Sequence, residues 1–221
     1  MTATYDAFLD ALRRGDRRAA FRATDEALDA GTELRALYLD VVQPAMREIG
    51  RLWQENQISV AEEHLATAIT QSAMGRIFER VFTWRDRRTP RLIAACASEE
   101  RHQIGLRMLC DLLELDGWET TYLGASVPIE DLAALVQRQE PDAVALSATI
   151  APHIPRVREA VAAIRALPLA RPPLIAVGGR AFLPDPRLAG LVGADITAND
   201  AGEAVRALNE RLRPGDDTRA A

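Results

Sequence analysis

The chain has 221 residues, 48% of them hydrophobic and 27% charged, with a formal net charge of -5. That apolar content supports packed cores and excludes a disordered chain. The acidic balance excludes nucleic-acid binding through phosphate neutralisation, because the basic clusters at 13–14, 17–18 and 85–88 are short and flanked by acids.

The first part of the chain reads as helices only. Tyr5, Phe8, Leu9 and Leu12 recur at helical spacing, and Gly15 ends the pattern. A second helix runs from the N-cap Asp16 to the terminator Gly31. A third spans about 32–54. A fourth spans about 59–84, where Ser59 and Glu62 form a capping box. Four helices with short connections predict an antiparallel bundle over residues 1–88. The polar, Pro-ended stretch at 85–90 marks the break.

Beyond it the pattern changes. Short apolar runs at 91–98, 119–124, 142–149, 173–179 and 194–198 are of strand length. Amphipathic helical segments lie between and after them, at about 102–116, 128–139, 152–166, 185–192 and 200–212. This alternation predicts an α/β fold: a flavodoxin-like, doubly wound, five-stranded parallel sheet over 89–213, with a flexible tail at 214–221. Cys96 and Cys110 form neither a zinc spacing nor a disulfide framework and read as buried reduced thiols. No apolar stretch approaches the roughly 18 residues of a spanning helix, and the N-terminus lacks the apolar core of a signal peptide. A cytoplasmic protein without a membrane partner is the expectation.

In such sheets ligands bind beyond the carboxyl ends of the strands. His102 falls there, after the first strand, between Glu100 and Gly105. A carboxylate two residues before a histidine can set its tautomer, as metal-ligating histidines require. Gly105 removes a side chain from the first helical turn. Ser147 and Thr149 follow the third strand, and Gly178 and Gly179 the fourth. His153 lies on the same edge, where it would touch a ligand or stand as a plain loop histidine.

These elements, Glu100-Arg101-His102-Gln103-Ile104-Gly105, Ser147-Ala148-Thr149 and Gly178-Gly179, resemble the Asp-x-His-x-x-Gly, Ser-x-Leu or Ser-x-Thr, and Gly-Gly motifs of the cobalamin-binding domain of methionine synthase, methylmalonyl-CoA mutase and the corrinoid methyl carriers. The resemblance covers roughly 90–212. It implies that His102 ligates cobalt from below in place of dimethylbenzimidazole. It further implies that Glu100, Arg101, Gln103, Ile104, Gly105, Ser147, Thr149, Gly178 and Gly179 bind the cofactor, the nucleotide tail entering the sheet edge. Two departures stand out. Glu100 is one methylene longer than the family's Asp, and Ala151 replaces a threonine of methionine synthase, removing one tail contact.

Within the helical part, Trp53 is followed after nine residues by Glu63-His64. Alone this would be a helix-end tryptophan and a surface pair. Beside the cobalamin motifs it resembles the signature of light-sensing cobalamin proteins, the MerR-type repressors of carotenoid genes among them. The resemblance implies that Trp53, Glu63 and His64 contact the adenosyl group of adenosylcobalamin, and Val60 is counted with them as cofactor-binding. A tryptophan covers large apolar area at little entropy cost, and a carboxylate accepts bonds from ribose hydroxyls. Gln54 stands where DNA-binding members carry the histidine that takes the upper cobalt face after photolysis. That leaves His64 or water as candidates.

The expected function is an adenosylcobalamin-binding light sensor without turnover, whose helical cap moves on photolysis. Output would pass through a homo-oligomer, a dimer first, or through a protein partner, with no direct nucleic-acid contact. Some relatives add a bilin as second chromophore. Two alternatives stay open: a corrinoid methyl carrier or mutase subunit, and a light-independent cobalamin-binding regulator.

Overall fold

The computed structural model describes residues 1–82, 90–185 and 187–212. The chain divides into two compact units, Met1–Trp84 and Arg85–Ala221. The break anticipated at 85–90, except Pro90, and the tail at 214–221 lie outside the described residues.

The first unit is helical. Helix α1 (Thr2–Arg13) buries Phe8, Ala11 and Leu12. Helix α2 (Arg17–Asp29) starts where the Asp16 carboxylate accepts a hydrogen bond from the Ala19 N–H at 2.9 Å. The anticipated third helix is one helical run in three parts: α3 (Leu34–Leu37), a π-turn (Tyr38–Val42) and α4 (Gln43–Gln54). Pro44 explains the interruption. It has no N–H for the Asp40 carbonyl, and its ring would crowd that carbonyl in a regular α-turn, so the chain widens just before it. Helix α5 (Val60–Val81) opens with the expected capping box. The Ser59 hydroxyl accepts from the Glu62 N–H at 3.3 Å, and Glu62 accepts from the Ser59 N–H at 2.7 Å. Its buried residues Ala66, Ile69, Thr70, Ala73, Met74 and Ile77 repeat at helical spacing and pack against α1, α2, α3 and α4. The fourth helix was expected to reach residue 84; its described part ends at Val81.

The second unit is a five-stranded parallel sheet in the order β2-β1-β3-β4-β5. The strands are β1 (Arg91–Cys96), β2 (Glu119–Gly124), β3 (Ala143–Ser147), β4 (Leu174–Gly178) and β5 (Ile196–Ala198). This is the flavodoxin order, with its switch point between β1 and β3. Strands β1 and β3 are almost wholly buried because helices cover both faces. Helices α6 (Ile104–Leu115) and α10 (Ala201–Arg211) pack together on one face. Helices α7 (Ile129–Gln139), α8 (Ile154–Arg165) and α9 (Arg187–Val192) follow one another on the other. The core of that second face runs from Ile93, Val144, Leu146 and Ile175 to Leu132, Val136, Val157 and Val161. Trp118, fully buried, donates to the Asn209 side-chain oxygen at 2.7 Å, and Asn209 donates to Asp116 at 2.7 Å, tying α10 to the turn before β2.

Register sets the carboxyl edge. Cys96 pairs with Ser147, Ser147 with Gly178 and Gly178 with Ala198, so one row crosses four strands. The loops after β1, β3 and β4 therefore leave the sheet at one level.

Candidate functional site

Glu100 organises this edge. It is fully buried, in the turn after β1. Glu99 before it adopts a left-handed φ of 72°, and its N–H donates to the Ser126 hydroxyl at 3.2 Å. The Ser126 N–H donates to the Glu100 carbonyl at 2.9 Å, which fixes the loop after β2. The Glu100 carboxylate then divides its oxygens. Oε1 accepts from the His102 N–H at 2.9 Å and pairs with His102 Nδ1 at 2.5 Å. Oε2 accepts from the Thr149 N–H at 2.6 Å and pairs with His153 Nδ1 at 2.9 Å. Burial alone would push this carboxyl up, but the bonds from the His102 ring, the His102 and Thr149 backbone and the His153 ring outweigh it. They hold the group well below the usual carboxylate range. Glu100 is therefore ionised and only accepts, so Nδ1 of His102 carries the hydrogen and Nε2 is the nitrogen suited to a metal. The His102 side chain is 47% exposed. The Glu100 carboxylate thus bonds to both the loop after β1 and the loop after β3.

The glycines do three different things. A Cβ on Gly105 would meet nothing within 4 Å, so the start of α6 lies open. Gly178 lines a cavity of about 80 Å³ with Gly105, Leu109, Ser147, Ala198 and Ala204, between α6, α10 and the ends of β3, β4 and β5. Gly179 is required by the chain itself. Its φ is 97°, and a Cβ there would stand 2.2 Å from the Ala148 carbonyl oxygen.

The remaining predicted residues of this unit are near by. Arg101 is exposed, Ile104 is half-buried at the start of α6, and Thr149 acts through its N–H. Gln103 is turned towards β2, where it accepts from the Tyr122 hydroxyl at 2.8 Å. Sequence reasoning missed Tyr122 and the α10 wall formed by Asp200, Ala201 and Ala204. Both come from segments distant in sequence. His153 was placed on the right edge, yet its link to Glu100 was not foreseen. Burial pushes the Cys96 thiol up to about 12, the Glu100 charge adding to it, and Cys110 is raised further by burial. Both are buried free cysteines.

Four predicted residues lie in the helical unit. Trp53, near the end of α4, is 39% exposed, and Val60, at the start of α5, is 53% exposed. Glu63 Oε2 pairs with His64 Nδ1 at 2.6 Å, and Glu63 Oε1 accepts from the Thr67 hydroxyl at 3.0 Å. Among the described residues of this unit, the exposed large hydrophobics are Met1, Trp53, Val60 and Leu65. Three of the four fall in the stretch 53–65.

Among the described residues no group of three or more His, Cys, Asp or Glu side chains is arranged to hold a metal ion. An imidazole such as that of His102, backed by a buried carboxylate, suits a metal that arrives in its own ring and needs one axial ligand. The open start of α6 and the apolar cavity beside it fit the rest of such a group.

Fold and site thus define an α/β protein built to hold a macrocyclic metal cofactor, with a helical unit preceding the sheet. Residues 90–209 match the B12 binding domain family, and residues 4–77 match a second family also described as a B12 binding domain. The chain belongs to the B12-binding domain family.

Among curated proteins, the HTH-type transcriptional repressor CarH of Myxococcus xanthus is 29% identical over 177 residues, covering 80% of this chain and 57% of that protein. The repressor CarA of the same organism is 34% identical over 104 residues, 47% of this chain and 34% of CarA. This chain therefore spans well under two thirds of the length of either relative. Among solved structures, the monomethylamine corrinoid protein of Methanosarcina barkeri superposes with a TM-score of 0.80 at 19% identity, covering 95% of this chain and 99% of that one, which establishes the shared fold. Among the described residues no helix is long and apolar enough to cross a membrane.

Proposed function

We propose that this protein is an adenosylcobalamin-binding light sensor that signals without turnover. When bound, the cofactor supplies a cobalt–carbon bond that visible light breaks. The chain's residues have separate tasks. His102 offers Nε2 to cobalt, with its ring set by Glu100. Gly105, Ser147 and Gly178 border the slot for the nucleotide tail. Trp53 and Val60 give apolar cover to the adenosyl group, and Glu63, held by Thr67 and His64, accepts hydrogen bonds from its ribose.

The observation that carries the reading is the Trp53-x9-Glu63-His64 signature, formed as an exposed stretch with the Glu63–His64 pair in contact. The similarity to CarH over 80% of the chain supports it. Loss of the cap interaction on illumination would move the helical unit and change association, with a second copy first or with a partner protein. Nothing in the site or in these relatives supports a bilin.

A second reading, a corrinoid methyl carrier or mutase subunit, is favoured by the 0.80 TM-score to the monomethylamine corrinoid protein and shares the lower site. The upper ligand separates the two. The parent should bind adenosylcobalamin more tightly than methylcobalamin, and Trp53→Ala should weaken adenosylcobalamin roughly 10-fold or more while leaving methylcobalamin nearly unchanged. Equal affinities in parent and variant would remove the adenosyl assignment and favour the carrier.

A further inference from the structure

Among the described residues of the sheet unit, the exposed large hydrophobics are Ile150, Leu183 and Leu191. Apolar side chains scattered singly over a surface are ordinary. Two of these three are not scattered. Ile150 directly precedes the 3-10 turn Ala151–His153 after β3, and Leu183 directly follows the 3-10 turn Arg180–Phe182 after β4. The two turns pack against each other at the carboxyl edge. Both are fastened on either side. The Thr149 N–H donates to Glu100 at 2.6 Å, and the Ile150 carbonyl accepts from the His153 N–H at 3.0 Å. The Ala181 N–H donates to the Ala148 carbonyl at 3.2 Å, and the side chains of Ala181 and Phe182 are buried. The two aliphatic groups are thus held out into solvent by fixed backbone, and groups already held lose little freedom when a ligand covers them.

Their place is beside the candidate ligand. The carboxylate that takes the Thr149 N–H on Oε2 takes the His102 ring on Oε1, so Ile150 begins one carboxylate away from that imidazole. Neither Ile150 nor Leu183 lines the cavity between α6 and α10 that suits the nucleotide tail. We propose that Ile150 and Leu183 form an apolar seat for the corrin ring itself, next to His102 and separate from the slot for the tail. The rim of the macrocycle carries methyl groups and methylene stems, which gain by leaving water against aliphatic side chains. This rests on the reading of the chain as a cobalamin protein with His102 as the lower ligand.

Cobinamide, the corrin without its nucleotide tail, separates the ring from the tail. Absorbance titrations of the full chain with aquacobalamin and with aquacobinamide give both affinities. The parent should bind both compounds. Ile150→Ser and Leu183→Ser should each weaken both, roughly 5–10-fold and by the same factor. Ile150→Val should keep most of the affinity. Leu191→Ser, which removes an equally exposed leucine from α9, should change neither. Thermal melts of the apoproteins identify any variant that does not fold, and Ile150→Thr, which keeps the branched shape, then replaces the serine. A loss confined to cobalamin would make the pair a tail contact and overturn the seat. Unchanged affinities in both serine variants, an equal loss in Leu191→Ser, or a parent that binds cobalamin but not cobinamide would overturn it too. A parent that binds neither compound would overturn the cofactor reading and this inference together.

Discussion

At the scale of residues, Glu100 decides the most. A buried carboxylate without partners would be unfavourable, and here two backbone N–H groups and two rings compensate it. Its folded value lies below the ordinary 4.5, so its contribution to stability is fully present above about that pH and is lost as the pH falls through the depressed value. Glu100→Gln should therefore lower stability near neutral pH by about 1–3 kcal/mol and flatten the acid limb below pH 4.5. Urea unfolding of apoprotein across that range measures both effects. An unchanged acid limb would mean that the ion is not held as described. The Glu-x-His spacing was legible in the sequence because both partners lie in one turn. The second half of the hub was not: Thr149 and His153 reach Glu100 only because Cys96 and Ser147 share a row of the sheet. The functional reading of His102 depends on that hub, which settles the tautomer.

Elements were legible where local chemistry sets them. Asp16 and the Ser59–Glu62 box start their helices as the sequence indicates. The five strands fall within the five apolar runs: β2 fills its run, and the other four are shortened where terminal residues join the loops. The π-turn at Tyr38–Val42 escaped notice because hydrophobic spacing continues through it, and only the missing N–H of Pro44 betrays it. The paired glycines after β4 were legible as a feature but not in their reason. Both were expected to bind the cofactor, and Gly179 is in addition demanded by the backbone of Ala148. Gly179→Ala should thus destabilise the apoprotein by roughly 3 kcal/mol, from a left-handed non-glycine residue and a displaced β3 loop. Thermal melts without cofactor make the comparison. A loss seen only in the loaded protein would return Gly179 to a purely ligand-facing role.

At the scale of the whole molecule, the two compact units carry different features. The sheet unit has the His102 imidazole backed by Glu100, an open helix start and an apolar cavity. The helical unit has an exposed apolar stretch with a carboxylate–imidazole pair inside it. The features of the sheet unit suit any B12 protein, and those of the helical unit give the light-sensing reading its content. The most direct test is an absorption spectrum of the protein loaded with adenosylcobalamin in the dark and again after green light, with size-exclusion chromatography of both samples. The account predicts a dark alkyl-cobalamin spectrum that light converts within seconds to a stable cob(III)alamin form, accompanied by a change in association. Tight dark binding with the same slow photolysis as the free cofactor and no change in size would contradict it.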